Sequence, residues 1–113
     1  MDYFVKHYPN LVSTELIDKS YEGRSIRVPR ICKGGICVEY PAMWIDGGMH
    51  AREWITSATF TYMMKELVEN GQNYPAKIVD QLDWYILPVF NPDGYNYSIT
   101  SDRMWRKNRY VVD

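Results

Sequence analysis

Apolar and polar residues alternate over 11–19 and again over 24–32, on either side of Tyr21-Glu22-Gly23. Period-two alternation around a glycine-bearing turn predicts a β-hairpin. Ahead of it, Tyr3, Phe4, His7 and Tyr8 fall at helical spacing within 2–8, and Pro9 closes that short helix. Residues 42–46 (Ala-Met-Trp-Ile-Asp) predict a short buried strand released by Gly47-Gly48. From Glu53 to Glu69 there is neither Pro nor Gly. Apolar residues fall there at Trp54, Ile55, Ala58, Phe60, Tyr62, Met63, Met64, Leu67 and Val68. So wide an arc predicts a long core helix covered on both flanks, stopped by Asn70-Gly71. Residues 75–82 predict a short helix through Pro75, Ile78, Val79 and Leu82. Residues 84–90 predict a buried strand, with Pro88 demanding an edge or a bulge. Asn91-Pro92-Asp93-Gly94 predicts a turn. The order β-β-β-α-(α)-β is an α/β, mixed-sheet pattern.

Composition narrows the class. The chain has 113 residues and a net charge of -1, with 46% apolar and 24% charged residues. That fits one domain at most and excludes disorder and coiled coil. No apolar window is long enough for a membrane-spanning helix, and the neutral balance gives no bulk drive toward nucleic acid. Aromatics reach 15%. A chain that buries about 65% of its unfolded surface carries that load with difficulty. Either the core is dense in rings or the chain is part of something larger.

Cys32 and Cys37 flank Lys33-Gly34-Gly35-Ile36. A zinc knuckle would need two more nearby ligands. A disulfide across the Gly-Gly turn and a pair of free thiols both remain open. Asn96-Tyr97-Ser98 is a glycosylation sequon. A disulfide and a sequon together lean toward a secretory protein, although the N-terminus shows no signal-peptide pattern.

The chemistry concentrates in Trp44-Ile45-Asp46-Gly47-Gly48-Met49-His50-Ala51-Arg52-Glu53-Trp54. A strand runs out through two glycines to His50 and Glu53, where the long helix begins. In α/β folds ligands bind at that end of a strand. A one-turn offset aims an imidazole and a carboxylate at one point. That is two thirds of a His2Glu zinc site. A bare H-x-x-E also occurs by chance, and this is neither H-E-x-x-H nor H-x-x-E-H. Arg52, between them, is available for an anionic substrate group. A second cluster is Arg103-Met104-Trp105-Arg106-Lys107-Asn108-Arg109. It reads as a solvated basic loop, a nucleic-acid patch, or the source of an arginine that stabilises oxyanion charge.

The stretch from Pro41 to Ile55 resembles the zinc signature of the metallocarboxypeptidases of the carboxypeptidase A/B family. Ser20-Tyr21-Glu22-Gly23-Arg24, Asn91-Pro92-Asp93-Gly94-Tyr95 and Arg103 to Arg109 resemble further family motifs, in order. The resemblance implies a mixed-sheet α/β peptidase domain, of which residues 1–113 are a single partial domain from the N-terminal third. It implies Zn2+ as cofactor, with His50 and Glu53 as its first two ligands. It makes Arg106 the catalytic group that polarises the scissile carbonyl. Arg52, Arg103 and Arg106 are then substrate-binding, and Asn91 to Gly94 a structural turn. The third histidine ligand, the glutamate base, the substrate tyrosine and the Asn-Arg pair for the C-terminal carboxylate fall downstream. His7 faces solvent or packs on the first helix. The implied substrates are the C-termini of peptides and proteins, outside the cell, with a propeptide upstream and no nucleic-acid partner. Two alternatives stay open: an inactive relic or binding module of the same fold, and a zinc amidohydrolase with the same ligand pair.

Overall fold

A computed structural model describes residues 1–37, 40–74 and 78–112. Its elements are α1 (Asp2–His7), β1 (Val12–Lys19), β2 (Ser25–Ile31), β3 (Ala42–Asp46), α2 (Trp54–Asn70), β4 (Asp83–Leu87) and α3 (Pro92–Thr100). The strands form one mixed sheet in the order β1-β2-β4-β3. β1 and β2 are the antiparallel hairpin that alternation predicts, with a bulge between Leu16 and Asp18. β3 and β4 run parallel, in register from Ala42↔Asp83 to Asp46↔Leu87. Parallel neighbours need a crossover, and α2 supplies it.

The core gathers where α1, α2 and the sheet meet. Phe4, Val12, Ile31, Met64, Leu67, Val68, Val79, Trp84 and Ile86 are buried together. Cys32 and Cys37 are joined in a disulfide with Cα atoms 5.2 Å apart, so the thiol alternative falls. It closes a single 3-10 turn just beyond β2 rather than bridging two strands. His7 is exposed, with its ring nitrogen 2.8 Å from the Tyr3 carbonyl and its ring stacked on Tyr3.

Several sequence expectations need correction. Over 75–82, residues 75–77 lie outside the described residues and Ile78–Asp80 forms one 3-10 turn. β4 stops at Leu87, one residue before Pro88, because proline has no N–H to continue the ladder. Asn91 to Gly94 is no isolated turn. Asn91 caps α3, accepting from the Gly94 N–H at 2.9 Å, and Pro92 takes the first helical position. β3 is not buried: Ala42, Met43 and Trp44 are exposed on an outer strand. Nor is α2 covered on both flanks, with Ile55 73% and Tyr62 63% exposed. Met64, Leu67 and Val68 form the side of α2 that meets the core. α2 does end at Asn70, as Asn70-Gly71 predicts, with Gly71 in right-handed dihedrals leading into a 3-10 turn.

Two polar features fix α3 on the sheet. Ser98 is buried, takes the Trp54 indole proton at 2.8 Å, and shares its own proton between the Tyr95 and Ala51 carbonyls. Asn96, two residues earlier in the sequon, is exposed on the other face. Asp93 is buried and reaches the hairpin turn. It accepts from Ser20 Oγ at 2.6 Å, the Glu22 N–H at 2.9 Å and Arg24 Nη1 at 2.7 Å. Burial alone would raise the Asp93 pKa. The donations from Ser20, Glu22 and Arg24 overcome it and hold the carboxyl below its ordinary value of 3.8.

Two measurements follow from α3. The depressed Asp93 carboxyl contributes stability that is complete above 3.8 and lost as pH falls through its lower folded value. Asp93→Asn should therefore cost about 1–3 kcal/mol near neutrality. Its deficit should shrink with acid in urea melts taken across that window. Gly94 poses a contest of sign. Helix propensity favours Ala over Gly by about 1 kcal/mol. A Cβ at Gly94 would lie 2.4 Å from the Lys107 carbonyl oxygen and 2.5 Å from Asn91 Nδ2. The clash wins, and Gly94→Ala should lower stability by about 1–3 kcal/mol in the same melts.

Candidate active site

The site lies where β3 and β4 end side by side. Past the strands the ladder continues: the Gly47 N–H bonds to the Leu87 carbonyl at 2.9 Å and the Phe90 N–H to the Gly47 carbonyl at 2.8 Å. Gly48 then turns the chain with φ +66°. A side chain there would strike the Pro88 carbonyl oxygen at 2.9 Å, so only glycine lets the chain turn this close to β4. His50 follows, and its carbonyl accepts from the Glu53 N–H at 3.0 Å in a tight turn.

Glu53 is the residue before α2, and its side chain makes no capping bond there. The carboxylate instead faces His50, with Oε1 3.2 Å from Nδ1. Arg106 Nη2 approaches the same Nδ1 at 3.3 Å. A ring nitrogen cannot donate to the carboxylate and accept from the guanidinium at once. If Nδ1 accepts, it and Oε1 are two acceptors aimed at one another. Such a pair calls for a cation between them. One imidazole nitrogen and one carboxylate oxygen suit zinc, and both are half-exposed. Among the described residues no group of three His, Cys, Asp or Glu completes a metal site.

The basic segment is largely exposed, yet it is pinned at several points. The Ala51 N–H bonds to the Arg106 carbonyl at 3.1 Å. Arg103 donates to the Arg52 carbonyl at 2.9 Å and lies 3.7 Å over the Trp54 ring. Arg109 sits 3.8 Å over Tyr97 and 3.4 Å from Glu22. Arg103 is thus held close to the turn that carries His50. Arg52 is exposed on that turn, and only its carbonyl is used by Arg103. His50 and Arg106 also line a cleft of about 450 Å3, together with Ser20, Tyr21, Asn91 and Tyr110.

Pattern reading pairs His50 with Glu53 and the resemblance adds Arg106; the three side chains stand together in the structure. Pattern reading misses Asn91, whose Nδ2 donates to the Met49 carbonyl at 3.2 Å and the Lys107 carbonyl at 3.0 Å. It also misses Ser98 and the Asp93 junction. The only signal for these was small polar residues at helix-start spacing, which says nothing about distant carbonyls.

A family model described as zinc carboxypeptidase matches residues 1–113. Carboxypeptidase B of Astacus astacus is 44% identical over 109 residues, covering 96% of this chain and 35% of the relative. Carboxypeptidase A2 of Mus musculus is 43% identical over 111 residues, covering 96% of this chain and 26% of the relative. The crystal structure of thrombin activatable fibrinolysis inhibitor superposes with a TM-score of 0.91 at 35% identity, covering 99% of this chain and 28% of that one. Carboxypeptidase A from Helicoverpa armigera gives 0.88 at 36% identity, covering 97% and 27%. The chain spans about a third or less of the length of these relatives. Matched along its whole length, and with an α/β mixed-sheet fold shared with carboxypeptidase domains, the chain belongs to the zinc carboxypeptidase family.

Proposed function

We propose that residues 1–113 are the N-terminal portion of a zinc carboxypeptidase catalytic domain that removes C-terminal residues from peptides and proteins. The convergence of His50 Nδ1, Glu53 Oε1 and Arg106 Nη2 within 3.2–3.3 Å carries this reading. His50 and Glu53 would hold the metal from one turn, through the imidazole nitrogen and carboxylate oxygen that face each other there. Zinc, when bound, supplies an acidified water and a Lewis acid. Arg106 stands beside the ligands on an independent segment, so its guanidinium is placed to meet negative charge that develops on a carbonyl oxygen. Arg103, held against Trp54, and the exposed Arg52 form a positive rim for the carboxylate end or backbone of a peptide. With a third ligand and a base outside these residues, the 113-residue chain alone does not turn over. The Cys32–Cys37 disulfide supports an extracellular setting.

Zinc titration, read by calorimetry and by the His50 ring resonances, tests the ligand pair. His50→Ala and Glu53→Ala should each weaken zinc by more than the about 10–100-fold that losing an outer-shell partner costs. Affinity that survives both substitutions would sink the assignment, and a parent chain that takes up no metal would favour a relic or binding module. In the full-length gene product, Arg106→Ala should lower kcat about 10²–10³-fold on a peptide with a free C-terminus. Arg52→Ala should raise KM and leave kcat near that of the parent.

A further inference from the structure

Asn91 stands between the two functional segments without touching either functional side chain. It is 8% exposed. Its amide nitrogen donates to the carbonyls of Met49 and Lys107, the residues that directly precede His50 and directly follow Arg106. Its amide oxygen accepts from the Gly94 N–H at 2.9 Å. Arg103 crosses from its own segment to the Arg52 carbonyl, and Ser98 reaches the Ala51 carbonyl on the His50 side alone. Among the described residues that lie on neither segment, Asn91 is the one whose side chain bonds to both.

We infer that Asn91 is a positioning residue that sets the spacing between the His50 loop and Arg106. The inference rests on the proposed role of Arg106. An amide offers two N–H donors and an acceptor in one plane. Two donors are needed to hold two carbonyls at once, and the acceptor fixes the amide to the first turn of α3. Asp has the acceptor and no donor. Ser has a single proton. Gln is a methylene longer and would displace one of the three partners. Gly94 completes the arrangement, because a Cβ there would occupy the space between Asn91 and the Lys107 carbonyl. The bonds from the Ala51 N–H to the Arg106 carbonyl and from Arg103 to the Arg52 carbonyl join the segments at two points. Asn91 adds a third from outside both segments, at the residues next to His50 and Arg106, and so limits how far one can pivot on the other. Displacement of a reacting group by about 1 Å costs on the order of 10²-fold in rate. Loss of the amide donors should therefore appear at the chemical step.

The test uses the full-length protein and four forms: parent, Asn91→Asp, Asn91→Ser and Val79→Ala. Asp and Ser both retain an oxygen that caps α3. Ser adds no charge, so it separates lost donors from an introduced carboxylate. Val79 is fully buried in the core and is not among the residues of the candidate site, so its truncation gives a stability loss without a positional one. Steady-state kinetics on a C-terminally free peptide are combined with NMR of the Arg106 guanidinium and the His50 ring. Both Asn91 variants should lose at least about ten-fold in kcat with KM within about two-fold, while Val79→Ala keeps both. The Arg106 and His50 resonances should move in the Asn91 variants alone. A kcat within about two-fold of the parent in Asn91→Ser, or losses matched by Val79→Ala, would overturn the inference. If the parent does not cleave peptides, the proposed function fails by itself. The resonances then decide: shifts confined to the Asn91 variants uphold the positioning role, and unmoved Arg106 signals end it.

Discussion

The parallel pairing of β3 with β4 is the constraint from which the site is built. In an antiparallel pair the two strand ends would leave at opposite edges. In the parallel pair Asp46 and Leu87 stand level, so both chains exit together. One exit becomes the His50 turn and the start of α2. The other becomes Asn91 and α3. The crossover that permits this is α2, and Glu53, the residue just before it, turns its carboxylate to His50 rather than to the helix backbone. Local helix stability is forgone there so that two charged or polar groups can share one point.

A second dependence runs through α3. The helix has nine residues, too few to persist by its own hydrogen bonds. It is held by Asn91 at its start, Asp93 against the hairpin turn, and Ser98 against Trp54 and Ala51. Asp93 is the costly member, since a buried carboxylate stands only when its oxygens are satisfied. The Ser20–Arg24 turn meets that need from about seventy residues away in the chain. The start of α3, from which Asn91 reaches the residue after Arg106, thus depends on a hairpin turn that supplies neither a candidate ligand nor an arginine of the site.

Much of this was legible in the sequence. Alternation over 11–19 and 24–32 pointed to the hairpin, although burial itself does not alternate there: β1 is exposed from Glu15 to Lys19, and Val28 and Pro29 of β2 are buried in succession. The Gly47-Gly48 break before His50 gave the strand exit, and the uninterrupted run to Glu69 gave α2. The resemblance placed His50, Glu53 and Arg106 together, which no periodicity could do. Other features were misread for identifiable reasons. Asn-Pro-Asp-Gly carries the residues of a turn and of a helix start alike, and only the polar residues that α3 goes on to anchor decide between them. Burial was overestimated for Trp44, Ile55 and Tyr62, because apolar character marks a face without saying what lies over it. The bonds of Asn91 link positions 42 and 16 residues away, and nothing local records them.

The bulge between Leu16 and Asp18 has a bearing on solubility. β1 is an outer strand of the sheet and carries Leu16 and Ile17 half-exposed. A long flat apolar edge of this kind is a template for another chain's strand. The bulge breaks the regular spacing of unpaired backbone groups just there, and Glu15, Asp18 and Lys19 put charge on both sides of it. A second molecule that tried to extend the sheet here would meet a kinked ladder, the Glu15–Arg30 ion pair and the charges of Asp18 and Lys19 within five residues. The irregularity in the hairpin therefore makes this edge a poor template for strand addition.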